Sequence, residues 1–131
     1  MHYAMLIYES ESAYEQRRHA DRDEFWEPWR RYHQSLVAAG VRVSGAPLEP
    51  PGTTATTIRV RGGERHVQDG PYADTKEQLG GFIIFDLPSL DAALEWAAKC
   101  PAASYGVVEV RPVADLEYIF GAGSQQLAPR D

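Results

Sequence analysis

The sequence predicts one α+β domain: a ferredoxin-like βαββαβ unit with a β-hairpin inserted at its centre. Three observations predict it. Short runs with strand character alternate with two segments, at about residues 22–39 and 89–99, whose apolar residues recur at three- and four-residue spacing. A glycine pair, Gly62-Gly63, separates two short β segments and marks a hairpin. The chain has 131 residues, enough for one such unit and its modest core but not for two.

The elements follow in order. Residues 2–8 read as the first strand, with no basic leader and no long apolar run. Residues 9–21 are polar and irregular, with room for a short helix. Phe25, Trp29, Tyr32, Leu36 and Val37 trace the apolar stripe of the first long helix. Pro28 suits a first helical turn and so suggests a start near it, and Gly40 supplies a stop. Residues 41–48 form a second strand, ended by Pro50-Pro51-Gly52. The β-branched run 53–61 and residues 64–68 make the hairpin, and residues 81–87 the next strand. Ser89 caps the second helix, with Leu90, Ala93, Leu94, Ala97 and Ala98 as its apolar face, and Pro101 ends it. Residues 105–113 form the last strand. The domain spans 1–120, and the Gly-, Ser-, Gln- and Pro-containing residues 121–131 read as a loosely held tail.

Two helices cover one face of such a sheet, and the other face needs separate cover. Met5 and Ile7 point one way while Ala4, Leu6 and Tyr8 point the other, and Phe82 to Phe85 are apolar on both sides. A homodimer with two sheets packed face to face follows. The alternative is a monomer whose hairpin folds over its own sheet. In the last strand Val108 and Val110 share one face, while Glu109 and Arg111 share the other. On a covered face these two charges are either a structural pair or the polar floor of a ligand pocket.

Composition narrows the classes. The net charge of −6 argues against a nucleic-acid surface, which needs clustered Lys and Arg. No run approaches a membrane span. The single cysteine, Cys100, excludes an internal disulfide and a cysteine zinc site, in keeping with a cytoplasmic location. His2, His19, His33 and His66 show no metal-binding spacing, so no metal is expected. No phosphate loop or dinucleotide fingerprint occurs, and no cofactor is expected.

The densest run of special residues is DGPYADTKEQLGGF, residues 69–82, followed downstream by EWAAKCPAASYGVVEVRPV, residues 95–113. Together with LIYES, AAGVRVSGAPLEP and TTATTIRVRGG, these stretches resemble the YCII-related family in its DGPF-domain branch, over about residues 2–113. Tyr72 stands where that branch usually has Phe. The resemblance implies a dimeric α+β barrel made of two ferredoxin-like units. It also implies small enzymes with a His-Asp pair in a cleft, one lineage being cofactor-free dehydrochlorinases acting on hydroxylated aromatics. Counting back from Gly40 puts Trp29 at the family histidine, and the position before Pro101 puts Cys100 at the family aspartate. Both members of the pair are therefore absent.

Two residues are candidates to replace them. Asp69 either opens the turn by bonding its own backbone or serves as a carboxylate at the mouth of a pocket. His33, one turn after Trp29, is either an exposed helix histidine or a displaced acid/base. Tyr8, Trp29 and Tyr72 could line a cleft for a flat metabolite, with Glu109 and Arg111 as its polar groups. Two functions remain open. One is a cofactor-independent enzyme that moves a proton on a small hydroxylated or aromatic metabolite, driving elimination, isomerisation or cyclisation in a cleft at the dimer interface. The other is a non-catalytic sensor or regulatory partner of an extracytoplasmic-function sigma factor, which the DGPF resemblance suggests.

Overall fold

In the computed structural model, which describes residues 1–19 and 22–121, the chain forms a four-stranded antiparallel sheet and a separate two-stranded hairpin. The elements run β1 (His2–Ser10), α1 (Glu11–Arg18), α2 (Arg22–Ala39), β2 (Arg42–Pro47) and α3 (Pro51–Thr54). They continue with β3 (Thr56–Arg61), β4 (Glu64–Asp69), β5 (Glu77–Asp86), α4 (Leu90–Ala98), α5 (Ala102–Tyr105), β6 (Val107–Pro112) and α6 (Leu116–Phe120). The sheet order is β2-β5-β1-β6, with β3-β4 apart, which is the ferredoxin-like arrangement with the hairpin as an insertion.

Alternation along β1 decides where the core sits. Tyr3, Met5, Ile7 and Glu9 are buried, while the residues between them are half-buried. Met5 pairs with Ile83 and Tyr3 with Phe85, so these share the helix-covered face. Tyr32 and Leu36 of α2 and Ala93 and Ala97 of α4 close over them in one apolar cluster. Ala4 pairs with Ile84 and with Arg111, and Leu6 with Phe82 and with Glu109, so these residues form the opposite face.

α2 runs unbroken from Arg22, with Pro28 inside it rather than at its start. Asp23 and Glu24 occupy its first turn, where acidic side chains complement the helix dipole, and so they move the start upstream of the proline. Its end is as expected. Gly40 adopts φ +69°, Gly40 N donates to Val37 O and Val41 N to Leu36 O, the paired bonds of a Schellman motif. The polar stretch after β1 is a full short helix, α1, capped by Ser10 Oγ on Ala13 N. On α4, Ser89 Oγ accepts from Ala92 N, as a cap should. Its inward face is Ala93 and Ala97, however, while Leu90 and Leu94 are about half exposed. The small residues let α4 sit close to the sheet, and Trp96 fills the side towards Tyr32.

β5 starts four residues earlier than its apolar core suggests, because a bulge carries the pairing past a glycine. The ladder passes from Ile7↔Gly81 to Tyr8↔Leu79, leaving Gly80 as the extra residue. The hairpin turns at Gly62 and Gly63, both at positive φ, and its strands pair with no strand but each other. Its residues are exposed nearly throughout, including Ile58, Val60 and Val67, so it does not fold over its own sheet. Beyond β6, α6 adds a turn that the sequence reading did not anticipate. The tail beyond Gly121 lies outside the described residues. No helix among the described residues is long and apolar enough to cross a membrane.

Candidate functional site

A cleft of about 470 Å³ lies on the helix-covered side, between α2 and the β2–β5 half of the sheet. Its floor is bare because of two glycines. On this face the register sets Gly45 beside Ile83 and Gly81 beside Ile7 and Pro47, so two sheet positions carry no side chain. A Cβ on Gly45 would stand 2.7 Å from Phe82 O, and one on Gly81 3.0 Å from Ala46 O. Both obstacles are main chain, so larger residues would push strands apart rather than simply fill space. The wall opposite is aromatic, from Trp26, Trp29 and Tyr32 of α2, whose rings follow one another with centroids 6.5 and 6.2 Å apart.

At one end of the cleft Glu9 is fully buried and ion-paired to Arg17 Nη2 of α1. Burying this pair is costly unless its remaining donors and acceptors find partners. Most do. Arg17 Nη2 also donates to Gly80 O at 3.0 Å, and Nη1 to Leu48 O at 2.7 Å. Tyr105 Oη donates to Glu9 Oε2 at 2.7 Å and accepts from Trp29 Nε1 at 3.1 Å. The guanidinium lies 5.0 Å from the centre of the Tyr14 ring and 5.4 Å from that of Trp26. Arg17 Nε is the one buried side-chain N or O atom among the described residues that lacks a hydrogen-bond partner. The bulge makes the arrangement possible. A Cβ on Gly80 would come within 2.7 Å of Glu9 Oε1 and 2.9 Å of Tyr14 Oη.

Around this pair, acidic protons are held on. Burial, then the hydrogen bond to Glu9, raises the Tyr105 phenol well above its usual value. Burial, with the Glu9 charge second, pushes Tyr14 up to about 12, and burial raises Tyr32. Burial likewise lifts the Cys100 thiol to about 11. These groups are hydrogen-bond donors at neutral pH, and Cys100 is a neutral, enclosed thiol rather than a nucleophile.

The residues singled out in the sequence fall in three places. Trp29 and His33 both line the cleft, one turn apart on α2, with His33 exposed at its rim. Tyr8, Glu109 and Arg111 lie on the other side of the sheet, where Tyr8 Oη donates to Glu109 Oε1 at 3.5 Å. Asp69 and Tyr72 lie at the base of the hairpin. Asp69 pairs with Thr56 at the end of β4, and Tyr72 is exposed with Arg59 5.3 Å from its ring centre. The structure thus does not gather Tyr8, Trp29 and Tyr72 into one pocket.

The unusual run from residue 69 to 82 has structural work in each part. Gly70, at φ +100°, donates to Ala55 O, and Thr57 Oγ1 donates to Gly70 O. Gln78 Nε2 donates to Ala73 O and Thr75 O and holds the loop closed. Gly80 makes the bulge and Gly81 the cleft floor. Glu9 and Arg17 were not foreseen. Glu9 had a readable signal, because it continues the inward phase of Tyr3, Met5 and Ile7, where a carboxylate demands a buried cation. Tyr105 carried no such signal.

A family model described as the YCII-related domain matches residues 1–117. The chain belongs to the YCII-related family. This YCII-related protein is 40% identical over 116 residues to an uncharacterised protein of Rhizobium meliloti (strain 1021), a match covering 87% of this chain and 93% of that one. Among solved structures it is similar to 5-chloro-2-hydroxyhydroquinone dehydrochlorinase from Burkholderia phenoliruptrix AC1100, solved in complex with 2,5-dihydroxybenzoquinone. The TM-score is 0.51 and the identity 16%, covering 90% of this chain and 98% of that chain, a likeness of fold. At the two positions where the resemblance places a catalytic His and Asp, this YCII-related protein has an indole bonded to Tyr105 and a closed thiol.

Proposed function

We propose that the protein binds a small, flat, hydroxylated or aromatic metabolite in the cleft beneath α2 and moves a proton on it without a cofactor. The observation that carries this is the cleft itself: a space of about 470 Å³, an aromatic wall, a main-chain floor and a buried Glu9–Arg17 pair at one end. A flat ring stacks on Trp29, and His33 at the rim takes a proton from it. The electron pair left behind either expels a leaving anion, which is elimination, or is reprotonated at another atom, which is isomerisation. The fold-level likeness to a dehydrochlorinase solved with a dihydroxybenzoquinone makes oxygenated rings the first class to try. Asp69 and Tyr72 have no part in this site.

A thermal-shift screen of phenols, quinones and aromatic carboxylates tests the reading, since a ligand of the folded state raises Tm by mass action. The expected result is a shift that shrinks in Trp29→Phe, with turnover lost but the shift kept in His33→Ala. If no compound raises Tm, or the shift is indifferent to Trp29, the reading fails.

A second reading concerns assembly. Ala4, Leu6, Phe82 and Ile84 leave the outer sheet face apolar, with Glu109 and Arg111 beside them. A second copy packed face to face would cover it and complete a dimeric α+β barrel.

A further inference from the structure

Two exposed apolar patches stand at opposite corners of the sheet. The first is the hairpin. Ile58 pairs with Val67 and Val60 with Arg65, so these four side chains share one face, while Arg59, Arg61, Glu64 and His66 share the other. Ile58, Val60 and Val67 are each more than half exposed. A two-stranded ribbon is marginal in water unless its apolar face is covered. The second patch is α6, where Tyr118 is 88% exposed, Ile119 52% and Phe120 71%. Glu117 precedes these three, and Asp115 caps the helix by accepting from Glu117 N. Each patch therefore joins three apolar side chains to a charge, Arg65 on the hairpin and Glu117 on α6, and the two charges are of opposite sign.

The corners follow from strand order and register. The hairpin leaves the sheet after β2, an edge strand, and the chain returns at the start of β5, where Glu77 pairs with Ser10 at the end of β1. α6 follows β6, the other edge strand, whose end at Pro112 pairs with Tyr3 at the start of β1. The patches thus lie on one diagonal of the sheet, and a single chain does not bring them together. With two sheets face to face, a two-fold axis between them along the other diagonal exchanges these corners, and the strands cross near right angles, one of the two ways in which sheets pack. We propose that α6 of each protomer docks on the hairpin of its partner, with its apolar side chains against the Ile58–Val67 face and Glu117 against Arg65. This rests on the reading of the outer sheet face as a dimer contact. Symmetry makes the contact twice, so both exposed patches of both protomers are covered.

The test is the dimer dissociation constant of the full chain, from sedimentation equilibrium and from the exchange of labelled subunits. Arg65→Glu and Glu117→Arg should each raise it by about tenfold, since a reversal turns attraction into repulsion at two equivalent places. The double variant should bring it back towards the original value, because the pair is restored with its signs exchanged. Phe120→Ala should raise it as well. Circular dichroism of each variant separates loss of the contact from loss of fold. Dissociation indifferent to the reversals, or a double variant no tighter than the singles, overturns the inference. So does a fall in Tm with no change in dissociation, which would put the cover of the hairpin within its own chain. Leu6→Asp tells the two readings apart. If it yields monomers while the reversals change nothing, the face-to-face dimer stands and only the docking of α6 falls. A chain that sediments as a monomer throughout removes both.

Discussion

Glu9 shows what one misplaced charge costs and what it can be made to do. Its carboxylate is fully buried, and four elements contribute to its surroundings: α1 through Arg17, α2 through Trp29, α5 through Tyr105 and β5 through Gly80. Removing one partner of such a pair leaves the other charged and desolvated. Glu9→Ala should therefore destabilise the fold by about 3–5 kcal/mol in urea unfolding, and Glu9→Gln by less, since it keeps a partner for Tyr105. The thiol and phenols make a second residue-scale prediction. Cys100 titrates at about 11 in the folded chain against 9.0 for the free thiol, and Tyr14 at about 12 against 10.0. A raised value means the folded state favours the protonated form. That contribution is complete below pH 9, the unperturbed thiol value, and is lost as pH climbs towards 11 and then 12. The unfolding free energy should be level in these terms up to pH 9 and decline above it, and Cys100→Ala should remove the earliest part of the decline.

Among the elements, β5 carries the most. Its glycines were visible in the sequence as a pair, but their separate tasks were not. Gly80 creates the bulge and admits the Glu9–Arg17 pair, while Gly81 keeps the cleft floor clear. Which of two adjacent glycines bulges depends on the partner strand, and that is a tertiary fact. Gly45→Ala should cost about 1–3 kcal/mol in thermal unfolding, because its new Cβ would meet main chain at 2.7 Å. Periodicity made α2 legible to within a residue at its C-terminal end, where Gly40 at φ +69° stops it. It misled on α4, where Leu90 and Leu94 fit the helical spacing but Ala93 and Ala97 are the ones buried. The close approach of α4 to the sheet favours small residues, and a pattern that counts only apolar character cannot see size.

At the scale of the whole molecule, the order of strands and helices was legible because alternation and helical spacing are local. The site was legible only in part. Trp29 and His33 could be placed together from their spacing on one helix, whereas Glu9 and Arg17, on the successive elements β1 and α1, meet Tyr105 from the far end of the chain. The two-faced apolar character of β5 leads to a prediction at this scale. The protein should sediment as a dimer, and Leu6→Asp, on the outer face, should yield a folded monomer. Retention of the dimer in that variant would place the contact elsewhere, with the exposed side of the hairpin, Ile58, Val60 and Val67, the next surface to mutate.

The glycine floor has a bearing on how a guest is received. A surface of peptide groups locked in a ladder has no rotamers to choose among, so the recess keeps its depth whether empty or filled. Little ordering entropy is then left for the moment of entry, and association should resemble a key meeting a cut lock, fast and with small backbone displacement between free and occupied states.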